Sequence, residues 1–314
     1  MKSGAVGGVC MAHAPQFFTL PESEDKATVE RVRELARENG RRLMALQPEL
    51  AVVVANDHAN QFLLHCVPAF ALHHGAEAVG RFAGREFRHA VAHEVSMALI
   101  RHLQAEGFDP AFTSNAALDY AFGIPLSFLD LALPIVPVYV NAYVPPQPSI
   151  ERCDQLGQAL GRGLLALGRR AVVVASGGLS HFPGTERYGE PDLTFDRKLM
   201  AELETGNLRW LLSLDDRRLD ETGNIELRCW AVAAGLLGER RPDVAVLEPS
   251  WHHNDARRRY LADPAAFADE HAFSAEERVA FVALEEQALR TLGVHPFLPF
   301  MVRLHLDRDG GGQA

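Results

Sequence analysis

Apolar and polar positions divide this chain into short, wholly apolar runs and longer stretches of helical period. Residues Gly7 to Met11 read as a short strand. ELAVVVAND (49–57) reads as a buried strand, β-branched and continuous in the manner of a parallel sheet. LPIVPVYVNAY (133–143) and RRAVVVASGG (169–178) repeat that texture. KATVERVRELARENGRRLMAL (26–46), EFRHAVAHEVSMALIRHLQAEG (86–107) and SIERCDQLGQALGRGLLALG (149–168) carry apolar residues at helical spacing. The last two close on glycine, a common helix stop. Strands alternating with helices predict an α/β layered fold, with a mainly parallel central sheet flanked by helices.

Further on the texture becomes helical. TFDRKLMAELETGNLRWLLSL (194–214) and NIELRCWAVAAGLLG (224–238) predict helices, the second burying Ile225, Leu227 and Trp230. A helical appendix follows over 263–301, with Ser274 and Glu277 spaced as a capping box. DRDGGGQA reads as a disordered tail. The expected division is a main domain over 1–255, a helical extension over 256–306 and a tail over 307–314.

Three apolar runs end on a histidine: His13 in GGVCMAHAPQ, His58 in VVVANDHANQF and His181 in AVVVASGGLSHFPG. In open parallel sheets ligands sit beyond the carboxyl ends of the strands, so these imidazoles fall where chemistry is done. Two neutral imidazoles and one carboxylate hold a divalent iron on one face, leaving positions for both oxygens of a catechol and one dioxygen. His13 and His58 are candidate ligands, and Glu226 is the candidate carboxylate. It starts an otherwise apolar helix, where a lone inward acid is unfavourable unless it meets a cation. Each also has an ordinary explanation. A strand-end histidine can be a loop residue, and Glu226 a first-turn acid favoured by the helix dipole. The residues alone leave both readings open.

Asn56 and Asp57 flank His58, either as partners that orient its imidazole or as turn formers. His252 and His253, in EPSWHHND, are candidates for the substrate pocket or for the surface. His89 and His93 share a helix face without an HExxH pattern and predict a solvated helix. His73 and His74 fall in an expected loop. The glycines of SGGLS lack the Lys-Ser/Thr of a phosphate-binding loop.

Composition narrows the classes. A net charge of -10 argues against a nucleic-acid binder, and Arg257 to Arg259 reads as a solvated helix edge. No apolar run approaches the ~20 residues that span a bilayer, and the first residues lack the pattern of a signal peptide. Cys10, Cys66, Cys153 and Cys229 are far apart with no CxxC pair, as expected for reduced thiols of a cytoplasmic protein.

In their order and intervals, MAHAP, NDHANQF, SGGLSH and IELRCW resemble the class III extradiol ring-cleavage dioxygenases. That superfamily includes the protocatechuate 4,5-dioxygenase catalytic subunit and 2,3-dihydroxyphenylpropionate 1,2-dioxygenase, and the resemblance spans about residues 5–240. It implies Fe(II) bound by His13, His58 and Glu226, with His181 as the acid/base. It implies a catecholic substrate, expected to be a catecholic acid, opened with O2 to a semialdehyde carboxylate. Many members have a histidine in a DHG motif where LDYAFGIPLSF places Tyr120. A phenol stays protonated at neutral pH, so there it would donate a hydrogen bond but shuttle protons poorly. Its other reading is a core aromatic. Residues 262–304 resemble the small helical subunit of protocatechuate 4,5-dioxygenase. A homo-oligomer is expected, with no nucleic-acid or membrane partner. The competing readings are a zinc-dependent hydrolase on the same ligands and a non-catalytic interaction protein that keeps the fold.

Overall fold

The computed structural model describes residues 3–20, 25–115, 117–182, 187 and 190–248. Its first half runs β1 (Gly4–Met11), α1 (Gln16–Thr19), α2 (Lys26–Ala45), β2 (Leu50–Ala55), β3 (Phe70–His73), β4 (Glu77–Phe82), β5 (Arg85–Ala90), α3 (His93–Ala105) and β6 (Ala111–Thr113). There follow α4 (Tyr120–Leu129), β7 (Ile135–Val140), α5 (Ile150–Ala166), β8 (Arg170–Ser176), α6 (Leu193–Glu204), a 3-10 helix (Leu208–Ser213), α7 (Asp216–Thr222) and α8 (Leu227–Leu237). Among the described residues no helix is long and apolar enough to cross a membrane.

Six strands form one sheet in the order β1-β8-β2-β7-β3-β6, and only the β3–β7 pair is antiparallel. The mainly parallel α/β fold read from the sequence is therefore present. Neighbouring side chains along a strand point to opposite faces. Val52, Val54, Val136, Val138 and Val173 join one core with residues of α3, α5, α6 and α8. Ala51, Val53, Ile135, Val172 and Val174 join the other with residues of α2 and α4. Burial on both faces is why these strands are apolar throughout. The four neighbours β1, β8, β2 and β7 run parallel, so their carboxyl ends open on one rim.

One expected helix is corrected. Residues 85–90 are strand β5, paired antiparallel with β4, and the helix starts only at His93. Ala83 and Gly84, at φ 48° and 72°, form the two-residue turn that favours a hairpin. His89 therefore lies on a strand and His93 on the first turn of α3, not together on one solvated helix. Residues 194–214 are helical as read, in two pieces, α6 and the 3-10 helix, with Gly206 at φ 91° between them. His73 ends β3 fully buried, with Nδ1 facing Thr113 O at 2.9 Å and Nε2 facing Glu77 O at 2.8 Å, so it is no loop residue. The appendix, the Ser274/Glu277 capping box, the tail and the boundaries near 255 and 306 lie outside the described residues.

Helices α5 and α8 cross closely because both carry glycine at the crossing. A Cβ on Gly157 would meet Val232 O at 2.0 Å, and one on Gly235 would meet Asp154 O at 2.1 Å. Gly161, one turn on, has 3.8 Å to its nearest neighbour. Gly157→Ala should therefore destabilise the fold by about 1–3 kcal/mol through overpacking. Gly161→Ala should instead be neutral or stabilise by up to about 1 kcal/mol through helix propensity. Chemical denaturation of the two variants beside the parent checks both signs.

Candidate metal centre

Four successive neighbours in the sheet deliver side chains to the same rim. His13 follows β1, the Gly177–His181 turn follows β8, His58 follows β2 and Tyr143 follows β7. Glu226 arrives from the helical side as the N-cap residue of α8, without a side-chain bond to its own helix. Its side chain is 0% exposed.

One carboxylate oxygen is the meeting point. Glu226 Oε1 lies 3.3 Å from His13 Nε2, 3.9 Å from His58 Nε2 and 3.7 Å from His181 Nε2. Burial opposes its ionisation, but the His13 and His181 imidazoles prevail and hold the carboxyl well below the usual range. Burial likewise disfavours charge on His13, yet the neighbouring Glu226 carboxylate raises its pKa overall. The Gly178 amide and the Tyr143 hydroxyl both donate to this carboxylate, on Oε2 and Oε1 respectively. Gly177 permits the approach, since a Cβ there would sit 2.9 Å from Glu226 O.

The outer nitrogens of the two candidate ligands are occupied. His13 Nδ1 pairs with Ser176 Oγ at 2.9 Å, and His58 Nδ1 pairs with Asp119 Oδ1 at 2.8 Å. A carboxylate only accepts, so His58 carries its proton on Nδ1 and offers the Nε2 lone pair inward. Among the described residues, His13, His58 and Glu226 form the one group of three whose donor atoms lie within 4.8 Å of one another and could hold a metal ion. Two neutral imidazoles and an ionised, buried carboxylate suit a divalent cation, which would compensate the buried charge.

His181 differs from these in access. Its side chain is 26% exposed, against 6% for His13 and for His58. Its Nδ1 donates to Leu179 O at 2.7 Å, which turns Nε2 toward the carboxylate. Tyr120 opens α4 and packs flat against His58, with ring centroids 4.4 Å apart, while Phe82 of the hairpin stacks on its other side at 4.5 Å. The structure thus brings His13, His58, His181, Glu226 and Tyr120 together. His252 and His253 lie outside the described residues.

The two flanking residues behave differently from each other. Asn56 Nδ2 is 3.1 Å from His58 Nε2 and 3.5 Å from Nδ1, so it sits beside the ring face and leaves the in-plane lone pair uncovered. Asp57 does not touch the imidazole. Its carboxylate accepts the amides of Asn60, Gln61 and Phe62 and shapes the turn, while burial and the Asp119 charge push its pKa up. The acid that orients His58 is Asp119, which also accepts the His58 amide at 3.1 Å and caps α4 through Ala121 N. Asp119, Ser176 and Tyr143 were not picked out from the sequence. Asp119 carried a signal as an N-cap residue before an apolar helix, and Tyr143 as the end of a fourth buried strand.

Asp119→Asn keeps an N-cap acceptor for α4 but no longer requires the proton on His58 Nδ1. Divalent-metal affinity should fall about 10–100-fold, with little change in thermal stability. Titration of the metal-free protein with a chelator as competitor measures the first, and a melting curve the second.

The chain is similar to known proteins over most of its length. The family model described as the catalytic LigB subunit of aromatic ring-opening dioxygenase matches residues 7–256. A 2,3-dihydroxyphenylpropionate/2,3-dihydroxicinnamic acid 1,2-dioxygenase from Klebsiella pneumoniae (strain 342) is 34% identical over 286 residues, covering 90% of this chain and 85% of that protein. A Pseudomonas putida enzyme of the same name, numbered 2, is 34% identical over 195 residues, 61% of this chain and 62% of its own. An Escherichia coli O139:H28 (strain E24377A / ETEC) enzyme of that name is 33% identical over 196 residues, 61% of this chain and 62% of its own. A match over most of the length, with the buried donors lying inside it, places the chain in the LigB family of catalytic subunits of aromatic ring-opening dioxygenases.

Proposed function

We propose that this protein opens the ring of a catecholic acid by extradiol cleavage, using O2 and a ferrous ion held by His13, His58 and Glu226. The observation that carries the reading is the convergence of His13 Nε2, His58 Nε2 and Glu226 Oε1, inside a chain of the LigB family. The relatives' names point to a dihydroxylated ring with an acidic side chain. When bound, ferrous iron supplies binding positions for the diol and a one-electron path between the ring and dioxygen.

The chain's own residues divide the remaining work. A catechol that binds as its anion must release a proton, and His181 is placed to accept it. Its Nδ1–H is engaged by Leu179 O, so Nε2 is the atom that takes the proton and later returns it to the opening ring. Its greater exposure lets it exchange that proton with solvent between turnovers, which the buried His13 and His58 do not. Tyr120, wedged between Phe82 and His58, restrains the ligand's ring. Ser176 and Asp119 keep the outer nitrogens of the two ligands occupied.

A zinc hydrolase finds no support in the family match, and a non-catalytic relic would be expected to have lost a donor or the base. Protein purified without oxygen should contain iron and consume O2 when given catecholic acids, yielding yellow ring-fission products. His181→Ala and His181→Phe should keep the iron and lose about 10²–10⁴-fold in turnover. Zinc in place of iron with no oxygen uptake would overturn the reading. Full turnover in both variants would remove His181 from it.

A further inference from the structure

Tyr143 belongs to no motif read from the sequence, yet its hydroxyl stands among the donor atoms. It donates to Glu226 Oε1 and lies 3.1 Å from His58 Nε2. A phenol has a single proton to give. With that proton on Glu226, its oxygen faces the His58 lone pair without a proton between them. Such crowding of lone pairs is relieved by a cation in their midst.

The loop that carries Tyr143 is built to hold it. Asn141 Oδ1 accepts the amides of Tyr143 at 3.2 Å and Val144 at 2.9 Å, while its Nδ2 donates to Val144 O at 2.6 Å. Gln147 Nε2 donates to Tyr143 O at 3.3 Å. The far end of the loop is tied to the helix that bears the carboxylate. Arg228, 0% exposed, donates from Nε to Pro148 O at 2.9 Å, from Nη1 to Ile225 O at 3.2 Å and from Nη2 to Asp216 Oδ1 at 2.7 Å. One buried guanidinium thus braces the backbone next to Glu226 against the Tyr143 loop.

We propose that Tyr143 is a positioning residue of the metal centre: its O–H, with the Gly178 amide on the other oxygen, fixes the Glu226 carboxylate so that one lone pair of Oε1 faces the imidazoles. An ionised carboxylate oxygen has two lone pairs. Tyr143 takes one, and the other is presented to a cation, which favours binding through a single oxygen. The inference rests on the metal-holding reading of His13, His58 and Glu226.

The test compares the parent, Tyr143→Phe and Tyr143→Leu, each prepared metal-free and titrated with Fe(II) without oxygen and with Co(II) alone. The Phe variant keeps the ring beside His58, 5.0 Å between centroids, and loses only the oxygen. It should bind both ions about 10–100-fold more weakly, with an altered Co(II) visible spectrum and a metal-free melting curve close to the parent's. The Leu variant should bind no better than the Phe variant. Parent-like affinity and Co(II) spectrum in Tyr143→Phe would overturn the proposal and leave the metal site standing. A parent that binds neither ion would overturn the metal-holding reading itself, and this proposal with it. A tyrosinate-to-metal charge-transfer band in the Fe(III)-loaded parent, lost in the Phe variant, would also overturn it, by making the phenolate a ligand.

Discussion

A carboxylate without solvent access is the constraint around which this rim is arranged. Glu226 is fully buried, and an ionised acid in that position is tolerated only with hydrogen bonds and opposing charge around it. The protein meets the requirement from every side. Gly178 and Tyr143 donate to the two oxygens, and three imidazole Nε2 atoms lie within 3.9 Å of one of them. The same arrangement that makes burial tolerable makes a site for a divalent cation. Stability of the anion and affinity for the metal are two descriptions of one electrostatic field.

Sheet topology explains how residues so far apart in sequence reach that carboxylate. Parallel neighbours present equivalent ends to the same rim, so β1, β8, β2 and β7 each add one segment to it. Glu226 comes from α8, which reaches the rim because glycines let it lie tightly on α5. Behind the donors stands an outer layer: Ser176, Asp119 and the Arg228 brace. Asp119 sets which nitrogen of His58 carries the proton, Ser176 engages the outer nitrogen of His13, and Arg228 holds the backbone beside Glu226.

One wall of the site is aromatic. The β4–β5 hairpin lies outside the main sheet, yet its Phe82 closes a stack that continues through Tyr120 to His58. A phenol stacked flat on His58 limits rotation of that imidazole ring. The hairpin thus supports the His58 ring through Tyr120 without supplying one of the clustered donor atoms.

Much of this was legible in the linear order of residues. Apolar runs without alternation report strands buried on both faces, and a histidine directly after such a run reports a place on the rim; His13, His58 and His181 follow from that reasoning. Glu226 was visible as a lone acid at the head of an apolar helix. The hairpin is hidden because REFRHA merges into the helical period that follows, with only Val91 and Ala92 between β5 and α3. Asp119, Ser176 and Tyr143 stayed hidden for another reason. Each is ordinary in its local setting, as a helix cap, a strand end and a loop aromatic, and acquires a role only from a partner 61, 163 or 83 residues away. Local sequence dictates which segments become strands and helices, because backbone propensity and burial act over a few residues. Which proton sits on which nitrogen is decided by contacts that exist only once the chain has folded.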